Sequence, residues 1–114
     1  MKKVKICLKI NDYTLNTTGI KDNNILKFQD QDELKTNIIY DLTNNTLIRD
    51  NEEITIKIEF KDKKNNIEYY LKKEKYKLND TLDNYELINK DTSVIIKYQI
   101  EKNNFLLELS YKEE

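Results

Sequence analysis

Histidine, proline, tryptophan and alanine are all missing from this sequence, and glycine and cysteine occur once each. Each absence excludes something. Without histidine there is no imidazole to serve as general base, so Ser–His and Cys–His nucleophile pairs are ruled out and the commonest zinc ligand is gone. One glycine cannot build a glycine-rich phosphate loop or a dinucleotide fingerprint. One cysteine, Cys7, cannot form an internal disulfide, which fits a reducing compartment. Long apolar runs are also missing. The N-terminal MKKVKICLKI interleaves lysine with its apolar residues, unlike a signal peptide, and no stretch is long enough to span a bilayer. A cytoplasmic protein without a membrane partner is expected. An excess of one charge is lacking too: 20 basic and 21 acidic residues leave a net charge of −1. They are interspersed from end to end, so a nucleic-acid partner is not expected.

What remains is 38% hydrophobic and 36% charged, in 114 residues, enough for one domain covering residues 1–114 and no second core. Alternation is the dominant pattern. Val4, Ile6, Leu8 and Ile10 share one face of VKICLKI. TNIIYDL alternates Thr36, Ile38, Tyr40 and Leu42, and EITIKIEF alternates Ile54, Ile56, Ile58 and Phe60. IEYYL adds Ile67, Tyr69 and Leu71. SVIIKYQIEKNNFLLELSY supplies two runs, Val94, Ile96, Tyr98, Ile100 and Phe105, Leu107, Leu109, Tyr111. ILKFQ and TLIR are shorter strands of the same kind. Asn-Asn pairs at 23–24, 44–45, 65–66 and 103–104 lie between strands, where asparagine replaces glycine as the residue that tolerates positive φ. One segment reads two ways. NDTLDNYELINK has Asp80 as an N-cap and Leu82, Tyr85 and Ile88 at spacing three, which would suit a short helix over 80–88. The pattern predicts an all-β domain, an antiparallel up-and-down β-barrel of about eight to ten short strands, since closure removes exposed edges.

The order of runs in TNIIYDLTNNTLIRDNEEITIKIEF is a strand, a polar turn, a strand ending in Ile-Arg, a second polar turn and a long strand ending in Phe. It resembles the YwiB-like family, a bacterial domain of unknown function with a calycin-like β-barrel. Arg49 and Phe60 stand at the matching positions, and YYLKKEKYKL and IIKYQIEKNNFLLELSY resemble the closing strands, so the likeness covers residues 26–111. It implies a calycin-like barrel and no particular activity.

Few residues invite chemistry. Arg49 is the only arginine among the 20 basic residues, and it shares a face with Leu47, so its guanidinium should enter the barrel. There it needs a carboxylate or a ligand anion; the simpler outcome is an internal ion pair with a residue such as Glu59 or Glu68. Tyr40, Tyr69 and Tyr98 share parity with core residues and could line a pocket beside Arg49, although such rings are more often core. These four are the candidate ligand-binding residues. Asp30-Gln31-Asp32-Glu33 places oxygen ligands at spacing two, but the glycine and distal glutamate of a calcium loop are missing, and a solvated turn is expected. No catalytic residue, metal or cofactor is expected. The reading is a non-enzymatic barrel, monomer or homodimer, that binds an unknown small molecule in or at its mouth. The alternative is a protein–protein interaction or structural module that could self-associate, for which Ile39, Tyr70 and Ile95, out of phase with the core, would be the apolar surface.

Overall fold

The computed structural model describes all 114 residues and is all-β. Eleven strands follow one another: β1 (Lys2–Ile10), β2 (Tyr13–Asp22), β3 (Ile25–Gln29), β4 (Asn37–Asp41), β5 (Thr46–Asp50), β6 (Ile54–Glu59), β7 (Ile67–Leu71), β8 (Tyr76–Asp80), β9 (Asn84–Lys90), β10 (Ser93–Ile100) and β11 (Asn103–Glu113). They form one antiparallel sheet in the order β8-β7-β6-β5-β4-β3-β2-β1-β11-β10-β9. Every neighbouring pair except β1–β11 is a hairpin. That exception joins the two ends of the chain, Val4 opposite Glu113 through Ile10 opposite Leu107. No helix is long and apolar enough to cross a membrane.

The alternating runs lie where side-chain parity sends them. Val4, Ile6, Leu8, Leu26, Phe28, Ile38, Tyr40, Ile58, Phe60, Ile67, Val94, Ile96, Tyr98, Leu107 and Leu109 all fall in one buried cluster. Burying each large aliphatic side chain of this kind contributes about 1.5–3 kcal/mol. The sheet curls so that its two halves face each other across this cluster. The Phe60 ring meets the edge of Tyr98 at 5.2 Å and lies 6.4 Å from Tyr85, linking the end of β6 to β9 and β10.

The sheet turns a corner at β2. Over its whole length this strand pairs with β1, yet with β3 it pairs only from Ile20 to Asp22. The sole glycine sits at this corner. A Cβ on Gly19 would lie 2.5 Å from the Lys27 carbonyl oxygen, 2.7 Å from Ile6 Cδ1 and 2.8 Å from Phe28 Cβ. Only hydrogen fits where β2 folds onto β3 and the core beneath it.

Asparagine turns the chain at three of the four expected pairs: Asn23, Asn45 and Asn65 have φ of 55°, 51° and 57°. The fourth is a correction. Asn103 and Asn104 begin β11, and the turn before them is made by Glu101 and Lys102, with φ of 50° and 67°. The register explains it, because Ile100 pairs with Asn103 and leaves two residues between the strands. The helix over 80–88 is also corrected. Residues 84–90 are β9, with Tyr85 and Leu87 facing inward and Ile88 outward opposite Ile95. The spacing of three arose from combining Leu82, buried in the connection before β9, with an inner and an outer residue of the strand itself. The strand count exceeds eight to ten because β2, β8 and β9 all form.

Closure of the barrel does not occur within the chain. β8 and β9 are consecutive, yet they are the two ends of the strand order. The connection between them is held elsewhere. Leu82 is buried, its N–H donates to Asn66 Oδ1 at 3.3 Å, and the Asp83 N–H donates to the Gln99 carbonyl at 2.9 Å. These ties carry the chain across the end of the sheet, from the β6–β7 connection to β10. The result is a curled half-barrel with two free edges.

Candidate functional site

Two places in this fold gather unusual side chains: the Arg49 cluster and the open seam between β8 and β9.

Arg49 faces inward from β5, in line with Ile38 on β4 and Ile56 on β6. Its Nη2 lies 3.2 Å from Asp30 Oδ2, and the Asp30 side chain is 5% exposed. The ion pair is therefore present, but its partner is neither Glu59 nor Glu68. Those two point outward, Glu59 opposite Thr46 and among Lys57, Lys61 and Lys63, and Glu68 opposite Lys57. The nearby turn supplies the carboxylate instead. Asp30 also accepts a hydrogen bond from the Tyr13 hydroxyl and another from the Gln31 N–H at 2.8 Å, so a nearly buried carboxylate is held by three donors. Its hydrogen bond to Asp30, reinforced by burial, raises the pKa of Tyr13.

The rest of the acidic turn is tied down locally. Asp32 accepts the Thr36 N–H at 2.8 Å and the Thr36 hydroxyl at 2.5 Å, which hold its carboxyl below the usual range. Asn51 donates to the same hydroxyl oxygen at 3.0 Å. The two aspartates thus serve different partners, and no group of three or more acidic or thiol side chains converges as a metal site would need.

Of the expected tyrosines, Tyr98 lies closest in influence to Arg49. Burial pushes its hydroxyl up to about 12, and the guanidinium opposes that shift. Its ring stacks on Phe105 at 5.0 Å. Tyr69 is half-buried; burial raises its hydroxyl, and Asp80 and Glu101 add to the shift. Tyr40 stands apart. Its ring is fully buried and its hydroxyl donates to Asn45 Oδ1 at 3.3 Å, beside the β4–β5 turn. The four candidates do not share a hollow. An opening of about 440 Å³ that Tyr98 and Phe105 border is lined mostly by outward residues such as Asn84, Glu86, Lys97 and Gln99. The one that Tyr69 borders, about 110 Å³, lies on the outer face with Ile48, Tyr70 and Lys77.

The seam was not foreseen. On β8, Tyr76 and Leu78 lie opposite Leu71 and Tyr69, so they belong to the inner face, yet they are 55% and 44% exposed. No strand covers them. Across the gap, Tyr85 and Leu87 of β9 are only half-buried. Both rims carry mixed charge, with lysines Lys73, Lys75 and Lys77 beside Glu74 and Asp80 along β8, and Asp83, Glu86 and Glu101 beside Lys90 and Lys102 along β9; Lys77 and Glu86, at the middle of their strands, take part in no ion pair. The alternation of YKLND was the available signal, but five residues with three polar members do not stand out as a strand. The outer-face residues divide into two small patches. Ile39 lies opposite Ile48, which shares a hollow with Tyr70, whereas Ile95 lies opposite Ile88 on β9.

Comparison with family models, with curated proteins and with solved structures finds no match for this chain.

Proposed function

We propose that this protein is an interaction module that binds an extended polypeptide strand at the open seam beside β8. The observation that carries the reading is the uncovered inner face of an edge strand, Tyr76 at 55% and Leu78 at 44% exposure, on a sheet whose two edges are both unpaired. A free edge presents a row of main-chain donors and acceptors, and an added strand satisfies them while its alternate side chains cover the apolar positions. Natural sheets block such edges with proline, a bulge, a covering helix, shortness or lysines. β8 has no proline and no helix over it; its protection is its five-residue length and Lys75 and Lys77, charges that an acidic strand would neutralise. The chemistry of the preferred strand follows from the rim: apolar at every second residue toward Tyr76 and Leu78, and acidic between, toward Lys75 and Lys77.

A small ligand held by Arg49, Tyr40, Tyr69 and Tyr98 draws less support. Arg49 already faces a carboxylate bonded by three donors, and Tyr40 is in the core. Kinship with the YwiB-like family rests on the pattern of residues 26–111; within it, this chain would be a calycin-like barrel left open along one seam. A cytoplasmic location rests on the lone unpaired Cys7.

The test uses a labelled synthetic peptide of alternating leucine and glutamate, with a proline-interrupted version as control. Fluorescence anisotropy should show saturable binding of the first and none of the second. Lys77→Glu should weaken that binding and Leu78→Asp should abolish it. No saturable binding, or binding unaffected by Leu78→Asp, overturns the proposal.

A further inference from the structure

The two edges that fail to meet within one chain are complementary to each other. Hydrophobic parity allows β8 and β9 to pair antiparallel only in registers that put Tyr76 and Leu78 on the same face as Tyr85 and Leu87. One of these places Lys77 opposite Glu86, Leu78 opposite Tyr85 and Tyr76 opposite Leu87. Both apolar residues of β8 then meet an apolar partner, and an unpaired lysine meets an unpaired glutamate. It is also the register that a tight hairpin around Thr81-Leu82 would use. That hairpin does not form, because Leu82 is buried in the core and Asp83 is bonded to β10. The chain therefore displays both halves of an opened hairpin.

We propose that the strand bound at the seam is β9 of a second copy of this chain, so that β8 and β9 of one protomer pair with β9 and β8 of the other around a two-fold axis at Thr81-Leu82. This rests on the module reading above and names its partner. The register permits two-fold symmetry: residue and partner numbers have a fixed sum, so the same pairing recurs with the copies exchanged, whereas head-to-tail use of one seam at a time would grow an open filament, which sedimentation distinguishes. With both seams closed, both free edges of both sheets are consumed and the assembly stops at two. Within the span of β8 the one like-charged pairing, Asp80 opposite Asp83, is softened by bonds already present, since Asp80 accepts the Thr81 N–H at 2.8 Å and Asp83 the Lys102 N–H at 3.0 Å; beyond it, Lys90 at the end of β9 faces Lys73 of the β7–β8 turn.

Sedimentation of the whole protein should give twice the 13.8 kDa chain mass, with dissociation on dilution. Lys77→Glu and Glu86→Lys, both exposed positions, should each weaken the dimer about tenfold, since each variant places like charges across both seams. An equimolar mixture of the two should restore it, because the mixed dimer regains opposite charges at both seams. In a Cys7→Ser background, Lys77→Cys with Glu86→Cys should give an oxidised species of dimeric mass. A disulfide closed within one chain would show that the hairpin forms internally and would overturn the proposal. So would a dimer indifferent to both charge reversals. A monomer that still binds the acidic alternating peptide removes the second copy as partner and leaves the strand-binding reading standing; a monomer that binds no peptide removes both.

Discussion

Replacing Gly19 by alanine sets two effects of opposite sign against each other. Removing a glycine from a strand restricts the unfolded chain and should stabilise by about 0.4–1 kcal/mol where the site can accept a methyl group. Here it cannot without movement. The added carbon would lie 2.5 Å from the Lys27 carbonyl oxygen, a backbone atom fixed in the β3 ladder, and within 2.8 Å of Phe28 Cβ; only Ile6 Cδ1, at 2.7 Å, belongs to a rotatable end. Overpacking of this kind typically costs about 1–3 kcal/mol, and the backbone contact argues for the upper part of that range. The net expectation is a destabilisation of about 2 kcal/mol. For 114 residues the unfolding entropy near the midpoint is about 0.24 kcal/mol/K, so the loss corresponds to roughly 8 °C in Tm. Urea denaturation followed by far-ultraviolet circular dichroism gives the free energy, and a thermal scan gives Tm. A Gly19→Ala protein as stable as the parent, or more so, would mean that β2 does not fold tightly onto β3, and the account of the corner would fall.

The turn before β11 makes a prediction of the other sign: Glu101→Asn with Lys102→Gly puts preferred residues at two positive-φ positions and should raise stability by about 1 kcal/mol in the same urea assay. Arg49→Met strands the nearly buried Asp30 carboxylate without its cation and should destabilise by about 2 kcal/mol, whereas Arg49→Met with Asp30→Asn should recover part of that loss; a double-mutant cycle measures the coupling. Tyr40 and Tyr98 have hydroxyls raised by burial, so the fold binds their protons more tightly than the unfolded chain does. That contribution is complete below pH 10 and is lost as pH rises through the folded values, so stability should fall above pH 10. Spectrophotometric titration should show two of the eight tyrosines ionising only with unfolding. At the acid end Asp32, Asp41, Asp50 and Glu59 are all lowered by hydrogen bonds, so stability present above pH 4 should decline as pH falls below it, again read by urea midpoints.

How much of this was legible in the sequence depends on where each strand's inner face lies. β1, β4, β10 and β11 bury Val, Ile, Leu or Tyr at alternate positions, so period two is visible in the letters, and the short β3 follows it; β6 and β7 alternate in sequence but bury only Ile58 and Ile67, and β5 buries the adjacent Thr46 and Leu47. β2 was hidden because the corner reverses the usual chemistry. Its inner positions include Thr17, Gly19 and Lys21, small or long-stemmed residues suited to a crowded bend, while Ile20 points outward and is 37% exposed. β8 and β9 were hidden for a related reason. The inner face of β8 is uncovered and that of β9 only partly covered, Tyr85 and Leu87 packing against the core while half-buried; in both strands the apolar letters are diluted by Lys77, Asn79 and Glu86, and Ile88 on the outer side imitates a helix. The inward turn of Arg49 was legible from Leu47, but its partner was not. Asp30 lies in an irregular turn where parity has no meaning, and only the fold brings it beneath the guanidinium. Alternation reports burial, and it fails where burial is incomplete. The same failure locates the seam: strands that read poorly because their inner faces are uncovered are the ones left with a face to offer a partner.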